Sequence, residues 1–182
     1  MTARARLVLE DTRVAMALHK AASAGPEFRV SWLSVVSLLR AVGHALDKVD
    51  AMTDEHIRWA SDVCWVNLNN TKPEPQIFWG FIEHERNRFI KNYEHGVLRL
   101  KIIRGSDPNV VMALDLANAG KGTQLVSAYN IPPEIPDRSI FSVLSDGPFA
   151  GQSETRVARQ AIEWWHNYLC EVERLAAQHA DA

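Results

Sequence analysis

The strongest constraint in this chain is an apolar stripe that runs from Phe28 through Trp32, Val35, Leu39, Val42 and Leu46 to Val49 in steps of three and four. An α-helix returns to the same face at that spacing, so the stripe predicts one long helix of about 22 residues with a wide buried side. A face of that length must be covered by other elements, and the flanking sequence supplies helices to cover it. Residues 3–23 place Leu7, Val14, Leu18 and several alanines at near-helical spacing among charged residues, up to the break at Gly25 and Pro26. Thr53, followed by Asp54 and Glu55, reads as the next helix start, because a hydroxyl caps free N–H groups and acids suit the positive helix end. Trp59, Val63 and Val66 continue that face to Leu68, and the asparagines and prolines of residues 69–75 form a loop. A further helix over residues 75–93 carries Phe78, Ile82, Phe89 and Tyr93 on one side. The chain closes with a helix from Glu154 or Thr155 to Gln178, with Ser153 as its cap and Ala161, Trp164, Trp165, Tyr168, Val172 and Leu175 as its stripe. Of the adjacent Trp164 and Trp165, one is expected to fill the core and the other to cover a neighbour.

Between the last two helices the pattern changes. Residues 97–104 mix branched apolar and basic residues as a strand does, residues 105–109 are a turn sequence, and residues 110–116 supply a second strand. Residues 117–151 hold most of the glycines and prolines and predict irregular structure, with a short strand near residues 124–129. The expected fold is mainly α, an antiparallel bundle of four to five helices. A small β hairpin and irregular insertion over residues 97–151 precede the last helix, all in one domain over residues 1–182.

Composition narrows the setting. Hydrophobic residues make up 47% and charged residues 23%, with no apolar run long enough to span a bilayer, so no membrane is expected. Glu10, Asp11 and Arg13 interrupt the stretch a secretory signal would need, which predicts a cytoplasmic protein. The only two cysteines, Cys64 and Cys170, lie among apolar or aromatic neighbours and read as reduced core thiols. A net charge of −2 gives no global attraction to nucleic acid, so such a site must be a local patch.

The helix around Arg86 is the most informative for chemistry. At 100° per residue, Phe78, Ile82, Phe89 and Tyr93 fall within about 60° of one another and Arg86 falls in the same arc, where an arginine must be paired or useful. Glu83, Asn87 and Lys91 flank it, and Glu83 is a candidate ion-pair partner. On the long helix, Arg40, His44 and Asp47 share a side next to Gly43, whose small size would let the Arg86 helix approach. A histidine between an arginine and an aspartate has the ingredients of a tuned acid or base. No metal-ligand spacing appears around Glu83, His84 and Glu85, and Ala119-Gly120-Lys121-Gly122-Thr123 is an incomplete phosphate loop read as a turn.

The string Glu85-Arg86-Asn87-Arg88-Phe89-Ile90-Lys91 resembles the signature helix of the HEPN superfamily. There an arginine followed by a polar residue, often asparagine, precedes a histidine by four to six intervening residues. The resemblance implies a small helical bundle from a bacterial toxin–antitoxin or phage-defence setting, related to metal-independent endoribonucleases. Arg86 and Asn87 would take the places of the motif's arginine and polar residue, and Lys91 stands where its histidine would be. His95 follows Arg88 at the motif's spacing, but Phe89 stands in the polar position. A metal-free RNA cleavage site needs a base near neutral pH and a cation for the phosphate, and lysine is a poor base. Arg86, Asn87, Lys91, His95 and His44 are therefore the candidate catalytic residues, with Arg40 and Arg88 binding substrate and neither metal nor cofactor involved. The implied partners are RNA or a nucleotide and a second copy of the chain. The alternative is a non-catalytic helical interaction module that holds a partner protein through exposed tryptophans.

Overall fold

A computed structural model describes residues 1–22, 25–104, 111–115, 123–124 and 140–181. The chain is mainly helical: α1 (Ala3–Ala21), α2 (Gly25–Ala45), α3 (Ala51–Thr53), α4 (Glu55–Asn70), α5 (His84–Asn92) and α6 (Glu154–Ala180). Two π-helical segments interrupt the regular helices, Leu46–Asp50 between α2 and α3 and Ile77–Glu83 leading into α5. No described helix is long and apolar enough to cross a membrane.

The stripe on α2 does what its spacing predicts. Phe28, Trp32, Val35, Val36, Leu39, Val42 and Leu46 are all buried, and they form the centre of a core shared by α1, α4, the π segment before α5, and α6. Val49 is exposed, because the chain has passed into the π-helical segment by then and its wider i→i+5 turns move the face around. Trp165 is buried and Trp164 only partly so, the expected division of labour for adjacent helical residues. At the other end of the core, His19 of α1 is buried between Ser31 of α2, 3.1 Å from its Nδ1, and Glu154 of α6, 3.4 Å from its Nε2.

The insertion before α6 forms a four-stranded antiparallel sheet in the order β3-β2-β1-β4, from β1 (Val97–Arg104), β2 (Val111–Asp115), β3 (Thr123–Gln124) and β4 (Ile140–Leu144). The hairpin of β1 and β2 is as expected, with Leu100 opposite Asp115 and Arg104 opposite Val111. β4 arises in a stretch read as irregular and pairs the other edge of β1, Val97 opposite Leu144. The turn at 105–109, the incomplete phosphate loop before Thr123, and the expected strand beyond Gln124 lie outside the described residues.

Five local readings are corrected. The apolar faces read for α1 and α4 turn outward, with Leu7, Val14, Leu18, Trp59 and Val66 exposed while Leu9, Met16, Ile57 and Cys64 pack inward. The other three concern two caps and a thiol. Asp54, and not Thr53, caps α4: its Oδ1 accepts the N–H groups of His56 and Ile57 at 3.0 and 3.2 Å, while the Thr53 hydroxyl donates back to the Asp50 carbonyl. Ser153 stands at the N-cap of α6, but its hydroxyl faces Thr155 Oγ1 and makes no cap bond. Cys64 is buried as expected, whereas Cys170 is exposed on the outer face of α6, beside His166 and Arg6.

The start of α1 is tied down by carboxylates from distant parts of the chain. The buried Asp50 accepts Arg4 N–H through Oδ1 and Ala5 N–H through Oδ2, both at 2.9 Å. Glu173 of α6 accepts the Thr2 N–H at 3.0 Å, the Thr2 hydroxyl at 2.6 Å and the Arg6 guanidinium at 2.6 Å. These contacts satisfy donors that no helix can satisfy internally. Asp50→Ala leaves two of them without their acceptor, and should lower the unfolding free energy by about 2 kcal/mol in urea denaturation. The bond from Arg6, with help from Thr2, draws the Glu173 carboxyl down to about 2. Its contribution to stability is therefore present above the ordinary carboxyl range and disappears as pH falls from about 4.5 toward 2. Thermal melts of Glu173→Gln should show a flatter pH dependence than wild type across that window.

Candidate functional site

Helix α5 continues from the π-helical segment and ends at Tyr93, whose φ of 54° places it in the left-handed region. Phe78, Ile82 and Phe89 are buried as expected, but Tyr93 turns outward and is 68% exposed. The charged residue at the centre of the buried face is Glu85, at 4% exposure, and Arg86 is half-buried at its edge. Glu85 Oε2 accepts the Gly96 N–H at 3.2 Å. Gly96 is required there, because a Cβ would collide with the same carboxylate. Burial pushes the Glu85 carboxyl above its ordinary range, opposed by the Gly96 N–H, Arg88, the Trp32 indole and His84.

From the edge of that face, Arg86 Nη1 donates to Asn87 Oδ1 at 2.8 Å. Its charge is felt by both Arg40 and His44 of α2. Burial holds the Arg40 guanidinium below its usual range, with Glu83 opposing and Arg86 adding to the shift. Burial, then Arg40, then Arg86 lower the His44 imidazole, and Asp47 opposes them. Glu83 contributes through the field alone: among the described residues, no carboxylate stands within 4.0 Å of the nitrogens of Arg40 or Arg86.

Arg40, His44 and Asp47 line a cavity of about 210 Å³ between α2, α4 and α6, as their shared helix side predicts. Asp62 adds a second acid, and Trp65, Phe78, Trp165 and Tyr168 supply aromatic walls. The Arg40 guanidinium lies 5.9 Å from the centre of the Phe78 ring. Gly43 does allow a close approach, but the group that uses it is the Trp165 ring of α6, 2.9 Å from where a Cβ would stand.

The remaining candidates lie elsewhere. Asn87, Arg88 and Lys91 line a shallow groove of about 380 Å³ with His84 and Asp146. Arg88 Nη1 is held there by Asp146 Oδ2 at 2.6 Å. His95 is buried in the turn between α5 and β1, with its Nδ1 3.0 Å from the Val97 carbonyl oxygen, and lines neither the cavity nor the groove. Arg40 and His44 thus share the cavity, Asn87, Arg88 and Lys91 share the groove, and Arg86 lines neither, bonding to Asn87 and acting on Arg40 and His44 through its charge alone.

Sequence reasoning weighed His84 and Glu85 only as metal ligands and set them aside for want of a ligand spacing on one helix, and it passed over Asp146. The steps of four, three and four from Phe78 through Ile82 and Glu85 to Phe89 pointed to Glu85 as a buried acid. Nothing local pointed to Asp146, which reaches α5 only through the pairing of β4 with β1.

No protein-family model, curated protein or solved structure matches the chain.

Replacing Arg86 by glutamine removes one of the cations that depress His44. The His44 imidazole should then titrate at higher pH than in wild type, as read from its NMR chemical shifts.

Proposed function

We propose that this chain is a HEPN-like protein that binds RNA or a nucleotide through phosphate contacts at Arg86 and Arg40, in a bacterial defence or toxin–antitoxin setting. The observation that carries the reading is the pair of half-buried guanidiniums in one another's field, with no carboxylate of the described residues at ion-pair distance. Like charges held together favour an anion between them, and phosphate matches the planar donor set of arginine. The aromatic walls next to Arg40 suit a base or another flat ring. Asn87 fixes the Arg86 guanidinium in place, the role of a polar residue directly after the arginine.

Cleavage, in this reading, uses His44 as its base. Burial, and then the charges of Arg40 and Arg86, lower its pKa and keep the imidazole neutral and able to accept a proton near pH 7. Lys91 and His95 are demoted: Lys91 lies in the separate groove and His95 is buried.

Fluorescence anisotropy with short single-stranded RNA and with nucleoside phosphates tests the binding. Arg40→Ala and Arg86→Ala should each weaken it about tenfold or more, as loss of a charge-assisted contact requires. His44→Ala should leave affinity nearly intact and abolish any cleavage. Absence of binding, or affinity unchanged in both arginine variants, overturns the reading.

A second reading is favoured by Trp59 and Trp65 of α4, which are 41% and 43% exposed, with Val66 exposed beside Trp65. Exposed tryptophans suit a protein partner more than a phosphate. That reading gains if the chain ignores RNA and nucleotides.

A further inference from the structure

We propose that His84, Glu85 and Asp146 form a binding site for a divalent transition-metal cation at one side of the α5 groove. The three side chains each direct one donor atom into a common space, with all three atoms within 4.8 Å of one another. His84 Nδ1 and Glu85 Oε1 are 3.9 Å apart. Two ligands at metal–ligand distances of about 2.0–2.2 Å span up to about 4.3 Å across a shared ion, so this pair already fits. Closing the third distance needs only a small inward rotation of exposed side chains, and His84 and Asp146 are each 50% exposed.

The least exposed ligand is also the most rigid. Glu85 is buried, and the Gly96 N–H holds its Oε2, which leaves Oε1 toward His84. A hydrogen bond of that kind orients a ligating carboxylate from behind. Burying a carboxylate is costly unless a proton or a cation compensates it, and Glu85 is 4% exposed. Asp146 comes from the loop after β4, so the donor set exists only when the sheet is docked beside α5. Arg88 occupies Asp146 Oδ2 and leaves the second carboxylate oxygen for an ion. Its positive charge weakens the site and does not block it.

One imidazole with two carboxylates suits manganese, iron or zinc better than magnesium or calcium, which prefer oxygen donors alone. The groove opens the site to solvent, which gives an entry path and room for water to complete the coordination. The proposal rests on these donors and does not depend on the nucleotide reading.

Isothermal titration of the full chain with ZnCl2 and with MnCl2, without nucleotide, tests the site. Wild type should bind one cation per chain, and His84→Ala and Asp146→Asn should each weaken binding by more than about tenfold. Both substitutions are at exposed positions, and circular dichroism should show them folded. A control is needed at His56 and His179, whose Nδ1 atoms are 2.9 Å apart and could hold zinc as a pair. Wild type that binds neither ion overturns the proposal, as does binding that survives both variants or is lost in His56→Ala and kept in His84→Ala.

Discussion

The first turn of α1 presents backbone N–H groups that no residue of its own helix can accept, and the arrangement of the bundle follows from where their acceptors come from. Asp50 reaches Arg4 and Ala5 from the far end of the α2 unit, and Glu173 reaches Thr2 from α6. The three helices are thereby fixed at one end by directional bonds, while the apolar stripe of α2 joins them along their length by contacts that have no direction of their own. Asp50 is the last residue of the π-helical segment Leu46–Asp50. An ordinary α-helix through that segment would turn its final carboxylate to a different side, so the irregular turn and the capping of α1 are one feature.

The same irregularity shapes the cavity beside α2. Arg40 and His44 lie on the last regular turns of α2, and Asp47 at the start of the π segment brings a third polar group to the same cavity. The second π segment, Ile77–Glu83, precedes α5 and supplies Phe78 to the wall of that cavity. Phe78 meets Trp164 and Trp165 of α6 at ring distances of 5.1 and 5.8 Å, so the aromatic core and the cavity wall are the same side chains. The cavity wall is thus held by core contacts and not by loops.

How much could be read from the sequence divides along the range of the interactions. The α2 stripe, the extents of α4 and α6, and the hairpin of β1 with β2 depend on residues a few positions apart, and their spacing carried them. The shared side of Arg40, His44 and Asp47 was legible for the same reason. Treating Tyr93 as part of the α5 stripe drew the apolar arc toward Arg86 and away from Glu85, since nothing in the residue itself announces a left-handed helix end without glycine. Gly43 was rightly read as a point of close approach, but its neighbour is Trp165, far along the chain. β4 and Asp146 are set by strand pairing across an intervening segment, a relation that no local pattern encodes.

These placements change what the altered motif on α5 can mean. With Lys91 at the position where a histidine would complete the motif, α5 places a cation and no base at that position. His44, from the neighbouring helix, offers an imidazole kept neutral by burial and by the two arginines beside it. An imidazole in that field is poor at holding a proton for long. Under the proposed reading it suits a step in which a proton is taken from a hydroxyl while the guanidiniums hold a phosphate, since an arriving anion relieves the field and raises the imidazole's affinity for the proton. The arginines would then act in sequence on one group, keeping His44 deprotonated before the phosphate binds and letting it accept a proton afterwards.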